Sequence, residues 1–161
     1  MKKIGIIMGS KSDLPVVEKT INQLKEFGIP VVVRILSAHR TPDEVAEFAR
    51  NARQTNIGVI IAAAGKAAAL PGCIAGITTL PVIGLPIRSS FLDGLDSILS
   101  MIQMPPGVPV ATVGTDAGLN AAILAAQILS VYDSEIEEKL NEYKQKMKSK
   151  VIADDNDINC L

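Results

Sequence analysis

Three short segments hold side chains whose types and spacing could do chemistry. The first is Gly9-Ser10-Lys11-Ser12-Asp13, directly after an apolar run. Gly9 admits close backbone approach, Ser10 and Ser12 offer hydroxyls, and a helix starting here would offer free N–H groups to an anion. Asp13 could accept hydrogen bonds from sugar hydroxyls; the plainer alternative is a strand–turn–helix cap. The second segment is Ser37-Ala38-His39-Arg40-Thr41-Pro42, which contains the single histidine of the chain. Imidazole can carry protons near neutral pH. A guanidinium beside it can fork onto a phosphate, or can serve in a surface ion pair. The third segment runs from Ala62 to Gly72, where Gly65, Ala67 and Leu70 would let backbone come close to a ligand or pack a helix start tightly. Lys66 is the one charge in that stretch and could face the ligand or reach solvent. None of the three is a Walker loop or a dinucleotide fingerprint.

The elements that would position these loops alternate strand and helix. Ile4 to Met8 reads as a buried strand, followed by a helix with Val16, Val17, Ile21 and Leu24 on one face and Gly28 at its end. Val31 to Leu36 is β-branched and reads as a second strand. Thr41-Pro42-Asp43-Glu44 predicts a helix start, with Thr41 as the cap and Glu44 completing a capping box. Ile57 to Ala62, Pro81 to Leu85 and Val108 to Val113 give three more strands. Between them, Gly65 to Gly76 should open a helix, and Phe91 to Met101 should form one with Leu92, Leu95, Ile98 and Leu99 on one side. Leu119 to Val131 is apolar nearly all round, which predicts a helix buried either in the domain or, as preferred, against another subunit. A charged helix from Ser134 to about Val151 and a loose tail from Asp154 to Leu161 complete the chain.

This alternation predicts one α/β domain over residues 1–161. It would be a three-layer, flavodoxin-like parallel sheet of about five strands with helices on both faces. Ligands of such sheets bind at the carboxyl ends of the strands, where all three loops fall.

Composition narrows the function. The chain is 48% apolar but only 3% aromatic, so its core must be built from Ala, Val, Ile and Leu. A net charge of −1 with mixed signs argues against a nucleic-acid partner. Cys73 and Cys160 lie far apart and suggest neither a metal site nor a disulfide framework. The N-terminal apolar run is too short for a signal peptide, and no run is long enough to span a bilayer, so no membrane role and a cytoplasmic location are expected.

Taken in order, MGSKSD, SAHRTP and the third loop's AGKAAALPG resemble the PurE-type family of de novo purine synthesis. Leu80 to Pro86, Gln103 to Val113, Asn120-Ala121-Ala122 and Ala125 to Leu129 agree, so the likeness runs from about residue 3 to residue 150. The resemblance implies an octamer with active sites between subunits and no metal or organic cofactor. It implies a mutase that moves a carboxyl group from the exocyclic nitrogen of a carboxyaminoimidazole ribonucleotide to C4 of the ring, after an ATP-dependent synthetase has made that substrate. It also implies that Ser10 and Arg40 hold the phosphate, Asp13 the ribose hydroxyls, and His39 the proton in transit. Gly9, Ser12, Ser37, Ala38, Gly65, Lys66, Ala67 and Leu70 would complete the substrate contacts.

The third loop departs from the mutase pattern. Lys66 stands where a glycine is expected, Ala69 where a second histidine is expected, and Ala63 where another glycine is usual. The loop from Gly114 to Gly118 is shorter and less basic than that pattern. A basic residue at Lys66 and the missing histidine suit the related carboxylases that use free CO2, while the rest of the chain sides with the mutases. The mutase is the preferred expectation, with Lys66 stabilising the migrating carboxylate. The carboxylase, and a non-catalytic nucleotide-binding module on the same fold, are the alternatives.

Overall fold

The strand Ile57–Ala64 is apolar throughout and almost wholly buried, a pattern that suits only the middle of a parallel sheet covered on both faces. The computed structural model, which describes residues 1–159, places it there. The strands are β1 (Lys3–Met8), β2 (Val31–Ile35), β3 (Ile57–Ala64), β4 (Val82–Pro86) and β5 (Ala111–Thr112). They form one five-stranded sheet in the order β2-β1-β3-β4-β5. Every pairing is parallel. The helices are α1 (Leu14–Glu26), α2 (Pro42–Asn51), α3 (Leu70–Ala75), α4 (Leu95–Ile102), α5 (Gly118–Ser130) and α6 (Ser134–Asn159). The flavodoxin-like expectation holds.

Alternation along the strands builds two cores. Ile4, Ile6, Val59, Ile61, Ile83 and Leu85 face α1, α5 and α6. Ile7, Ile60, Ala62 and Val82 face α2, α3 and Met101 of α4. The first core owes its density to small residues. Ala121, Ala122, Ala125 and Ala126 of α5 are all fully buried. At Gly118, a Cβ would stand 2.5 Å from the Val16 carbonyl oxygen, so only glycine lets α5 approach α1 this closely. The Thr20 hydroxyl donates to the Gly118 carbonyl at 2.8 Å and ties the two helices together.

Several expectations change. The apolar helix over 119–131 packs within the chain against the sheet, α1 and α6, and leaves Leu119 and Val131 exposed. The fifth strand is two residues long, because only Ala111 and Thr112 pair with β4. Residues 65–69 form a turn, and the helix expected from Gly65 begins at Leu70. Thr41 occupies the cap position of α2, but its hydroxyl turns backwards, accepting from the Ser37 N–H at 2.9 Å and donating to the Ser37 carbonyl at 3.2 Å. The tail expected to be loose from Asp154 continues α6 as helix to Asn159; Cys160 and Leu161 lie outside the described residues.

Two apolar surfaces have no cover within the chain. Leu92, Leu95 and Leu99, read as one side of a helix, are exposed together with Phe91 and Ile102, while Ser97 and Met101 are the buried positions of α4. On α6, Ile136 and Leu140 are buried and Tyr143 meets Phe27 edge-on with ring centroids 5.7 Å apart. The same stripe continues exposed through Met147 and Val151. Among the described residues no helix is long and apolar enough to cross a membrane.

Candidate active site

The loops after β1, β2, β3 and β4 surround one cleft of about 650 Å3 at the carboxyl edge of the sheet. Every candidate from the sequence lines it: Gly9, Ser10, Ser12 and Asp13, then Ser37, Ala38, His39 and Arg40, then Gly65, Lys66, Ala67 and Leu70.

The β1 loop is shaped by its own polar groups. Ser10 caps a single 3-10 turn, Lys11–Asp13, and its Oγ accepts from the Ser12 N–H at 3.3 Å. The Asp13 carboxylate accepts from the Ser10 N–H at 3.1 Å, closing the reciprocal half of the box. The Ser12 hydroxyl lies 2.9 Å from Ser10 Oγ and 3.2 Å from Asp13 Oδ1. Asp13 is nearly buried. Burial raises its pKa above the ordinary 3.8, against the opposing pull of the Ser12 hydroxyl, the Ser10 N–H and the Arg40 charge.

The β2 loop is tied to the β1 loop by Arg40, whose Nη2 donates to the Gly9 carbonyl at 2.8 Å and whose Nε donates to Ser37 Oγ at 3.3 Å. Both partners are neutral, so the guanidinium charge stays available to an anion in the cleft. His39, one residue earlier, is exposed at the mouth, where an imidazole can exchange protons with a ligand and with water.

The β3 loop brings backbone against the ligand space. Gly65 lies against β4's extension, where a Cβ would stand 3.2 Å from the Ile87 carbonyl oxygen. Lys66 (φ 57°) and Ala68 (φ 37°) hold left-handed conformations that L residues avoid, and such strain gathers at functional sites. Lys66 extends from this strained position as an exposed cation on the cleft wall.

Sequence reasoning missed the fourth wall, Ile87-Arg88-Ser89-Ser90. Its signal was available, since the segment follows β4 as the other three loops follow their strands. Among the described residues no three His, Cys, Asp or Glu side chains come together as a cation site.

A cleft with alcohols, a buried carboxylate, a cation and an imidazole on successive strand ends suits a small phosphorylated ligand and proton transfer. Relatives share the chain that builds it. It is 56% identical over 155 residues to the N5-carboxyaminoimidazole ribonucleotide mutase of Methanocaldococcus jannaschii, covering 96% of both chains. It is 50% identical over 150 residues to the phosphoribosylaminoimidazole carboxylase of Saccharomyces cerevisiae, covering 93% of this chain and 26% of the yeast protein. The crystal structure of Treponema denticola PurE superposes with a TM-score of 0.90 at 36% identity, over 97% of this chain and 98% of that one. The family model for AIR carboxylase matches residues 3–150, and the chain belongs to that family.

Proposed function

We propose that the protein is an N5-carboxyaminoimidazole ribonucleotide mutase of purine biosynthesis. The observation that carries this reading is the meeting of His39 and Arg40 with Ser10 and Asp13 in one cleft. Arg40 and the Ser10 hydroxyl take the phosphate, and Asp13 accepts from the ribose hydroxyls. The imidazole ring of the substrate then lies toward His39 and the small residues Ala38, Gly65 and Ala67.

The chemistry balances with one proton carrier. The bond from the carboxyl carbon to the exocyclic nitrogen breaks, releasing CO2 and leaving the electron pair on nitrogen, which takes up a proton. C4 of the ring attacks the trapped CO2, forms the new carbon–carbon bond and gives up its own proton. His39 can supply the first proton and collect the second, and a cleft lined by small residues keeps CO2 close. Lys66 projects into this region as an uncompensated cation and stabilises the carboxylate as it moves.

A second reading has its own observation. Lys66 in a strained backbone, with Ala69 where a mutase would carry another histidine, suits a carboxylase that captures free CO2. Purified protein given aminoimidazole ribonucleotide with CO2, or freshly made carboxyamino substrate, separates the two. Product only from the carboxyamino substrate supports the mutase, and efficient use of dilute CO2 supports the carboxylase. Binding without turnover in both arms would leave a nucleotide-binding module. The mutase reading carries with it a cytoplasmic location, a synthetase supplying the carbamate, and a homo-oligomer, an octamer by resemblance. The uncovered apolar face at Phe91, Leu92, Leu95, Leu99 and Ile102, beside the β4 wall, supports subunit contacts close to the cleft.

A further inference from the structure

The cleft has opposite charge balance at its two ends. Its walls follow the strand order, so the loops after β2 and β4 are three strand spacings apart, about 14 Å at roughly 4.8 Å per step. That span suits an extended mononucleotide lying along the sheet edge, either way round. Across the β2, β1 and β3 loops the lining charges are Arg40 and Lys66 against Asp13. At the β4 end the cation is Arg88, and it is already engaged. Its Nη1 lies 3.1 Å from Asp93 Oδ1 and its Nε 3.4 Å from Asp116 Oδ2, the only ion pairs among the described residues. Asp116 is fixed in place, because its Oδ1 accepts from the Arg88 N–H at 3.0 Å and its own N–H donates to the Pro86 carbonyl at 2.9 Å. A third carboxylate, Asp96, accepts from the hydroxyl of the wall residue Ser89 at 2.9 Å. Asp93 (φ 53°) and Asp116 (φ 55°) both hold left-handed backbone, so the two carboxylates on Arg88 are presented from strained positions.

A guanidinium already paired with two carboxylates is a poor anchor for a phosphate. We propose that Asp93 and Asp116 are orientation-determining residues: by cancelling Arg88 they leave the attraction for phosphate at the Arg40 end alone, so the ribonucleotide enters one way round. This rests on the phosphate contact assigned above to Ser10 and Arg40. Without the two aspartates, Arg88 would offer a competing phosphate site and the ring would be carried away from His39.

Calorimetric titration with ribose 5-phosphate tests both layers. R40Q should bind it more weakly than the natural chain does. Adding D93N and D116N to R40Q should restore binding by about threefold to tenfold, a gain that high salt weakens and that R88Q abolishes. Asparagine keeps an acceptor for the Arg88 N–H; should the combined variant fail to fold, D93N alone in R40Q should give a smaller gain of the same salt dependence. No gain, or a gain that survives R88Q, overturns the proposal. R40Q binding as tightly as the natural chain would instead overturn the phosphate contact at Arg40, and the orientation with it. Turnover gives an independent readout. D93N/D116N should lower kcat and KM together with kcat/KM unchanged, as nonproductive binding requires, and R88Q should reverse the effect. A fall in kcat/KM at constant KM would mark the aspartates as merely structural and end the proposal.

Discussion

On the β1 and β2 side of the cleft, functional side chains hang from loops whose backbone is relaxed; the positions are held by capping bonds and by Arg40 reaching to Gly9 and Ser37. On the β3 and β4 side the backbone itself is forced. Lys66, Ala68, Leu92, Asp93 and Asp116 all have positive φ, whereas no residue from Gly9 to Asp13 or from Ser37 to Thr41 does. The first side places groups by hydrogen bonding, and the second by strain held in place by packing. The first therefore tolerates exchange of side chains that keep a bond, while the second resists any change to the turn.

The largest expected effect falls on the relaxed side. His39→Asn should reduce turnover by about 10²–10⁴-fold, the usual share of a positioned proton carrier, with melting temperature and nucleotide binding little changed. Loss of binding along with turnover would mean that His39 shapes the loop, and the contrast between the two sides would lose its footing. A smaller effect in rate, with a contrary effect in stability, is expected on the strained side. Lys66→Gly removes the steric cost of φ 57° and should leave stability unchanged or raise it by up to about 1 kcal/mol, while turnover falls. Intact turnover in Lys66→Gly would dismiss the lysine from the reaction.

The smallest effect concerns Asp13. Its pKa is raised in the fold, so between the ordinary 3.8 and the raised value the folded chain holds more protons than the unfolded one. Asp13's contribution to stability is thus fully present below 3.8 and is lost as pH rises through the raised pKa, and Asp13→Asn should lack that loss. Melting temperatures of both proteins across the acid range would reveal it, and parallel curves would refute it.

The same contrast explains what could be read from the sequence. The sheet was legible because alternation of apolar runs with capped helices has few other solutions, and the relaxed loops were legible because Ser, Asp, His and Arg after a strand announce polar work. The β4 wall was legible only by its place after a strand, because Ile87-Arg88-Ser89-Ser90 carries no histidine or carboxylate to announce a site. Strain was equally hidden, since lysine, alanine and leucine are residues that sequence reasoning assigns to helices rather than to left-handed turns. Leu92, Leu95 and Leu99 left a different question open. Their spacing reports an apolar face correctly, but spacing cannot tell whether the covering surface belongs to the same chain. The apolar helix at 119–131 needed no polar face toward α1 and the sheet, because alanine lets it pack closely against both within one chain.

That alanine face sets a direction for the protein's tolerance of chance substitution. At Ala121, Ala122, Ala125 and Ala126, each without accessible surface, nearly every replacement enlarges the side chain, and none can shrink it except glycine. A lineage carrying this packing can drift freely on its exposed surfaces, yet along α5 it is confined to a narrow alphabet. The identity of that helix should therefore outlast that of the loops around it wherever selection acts on folding alone.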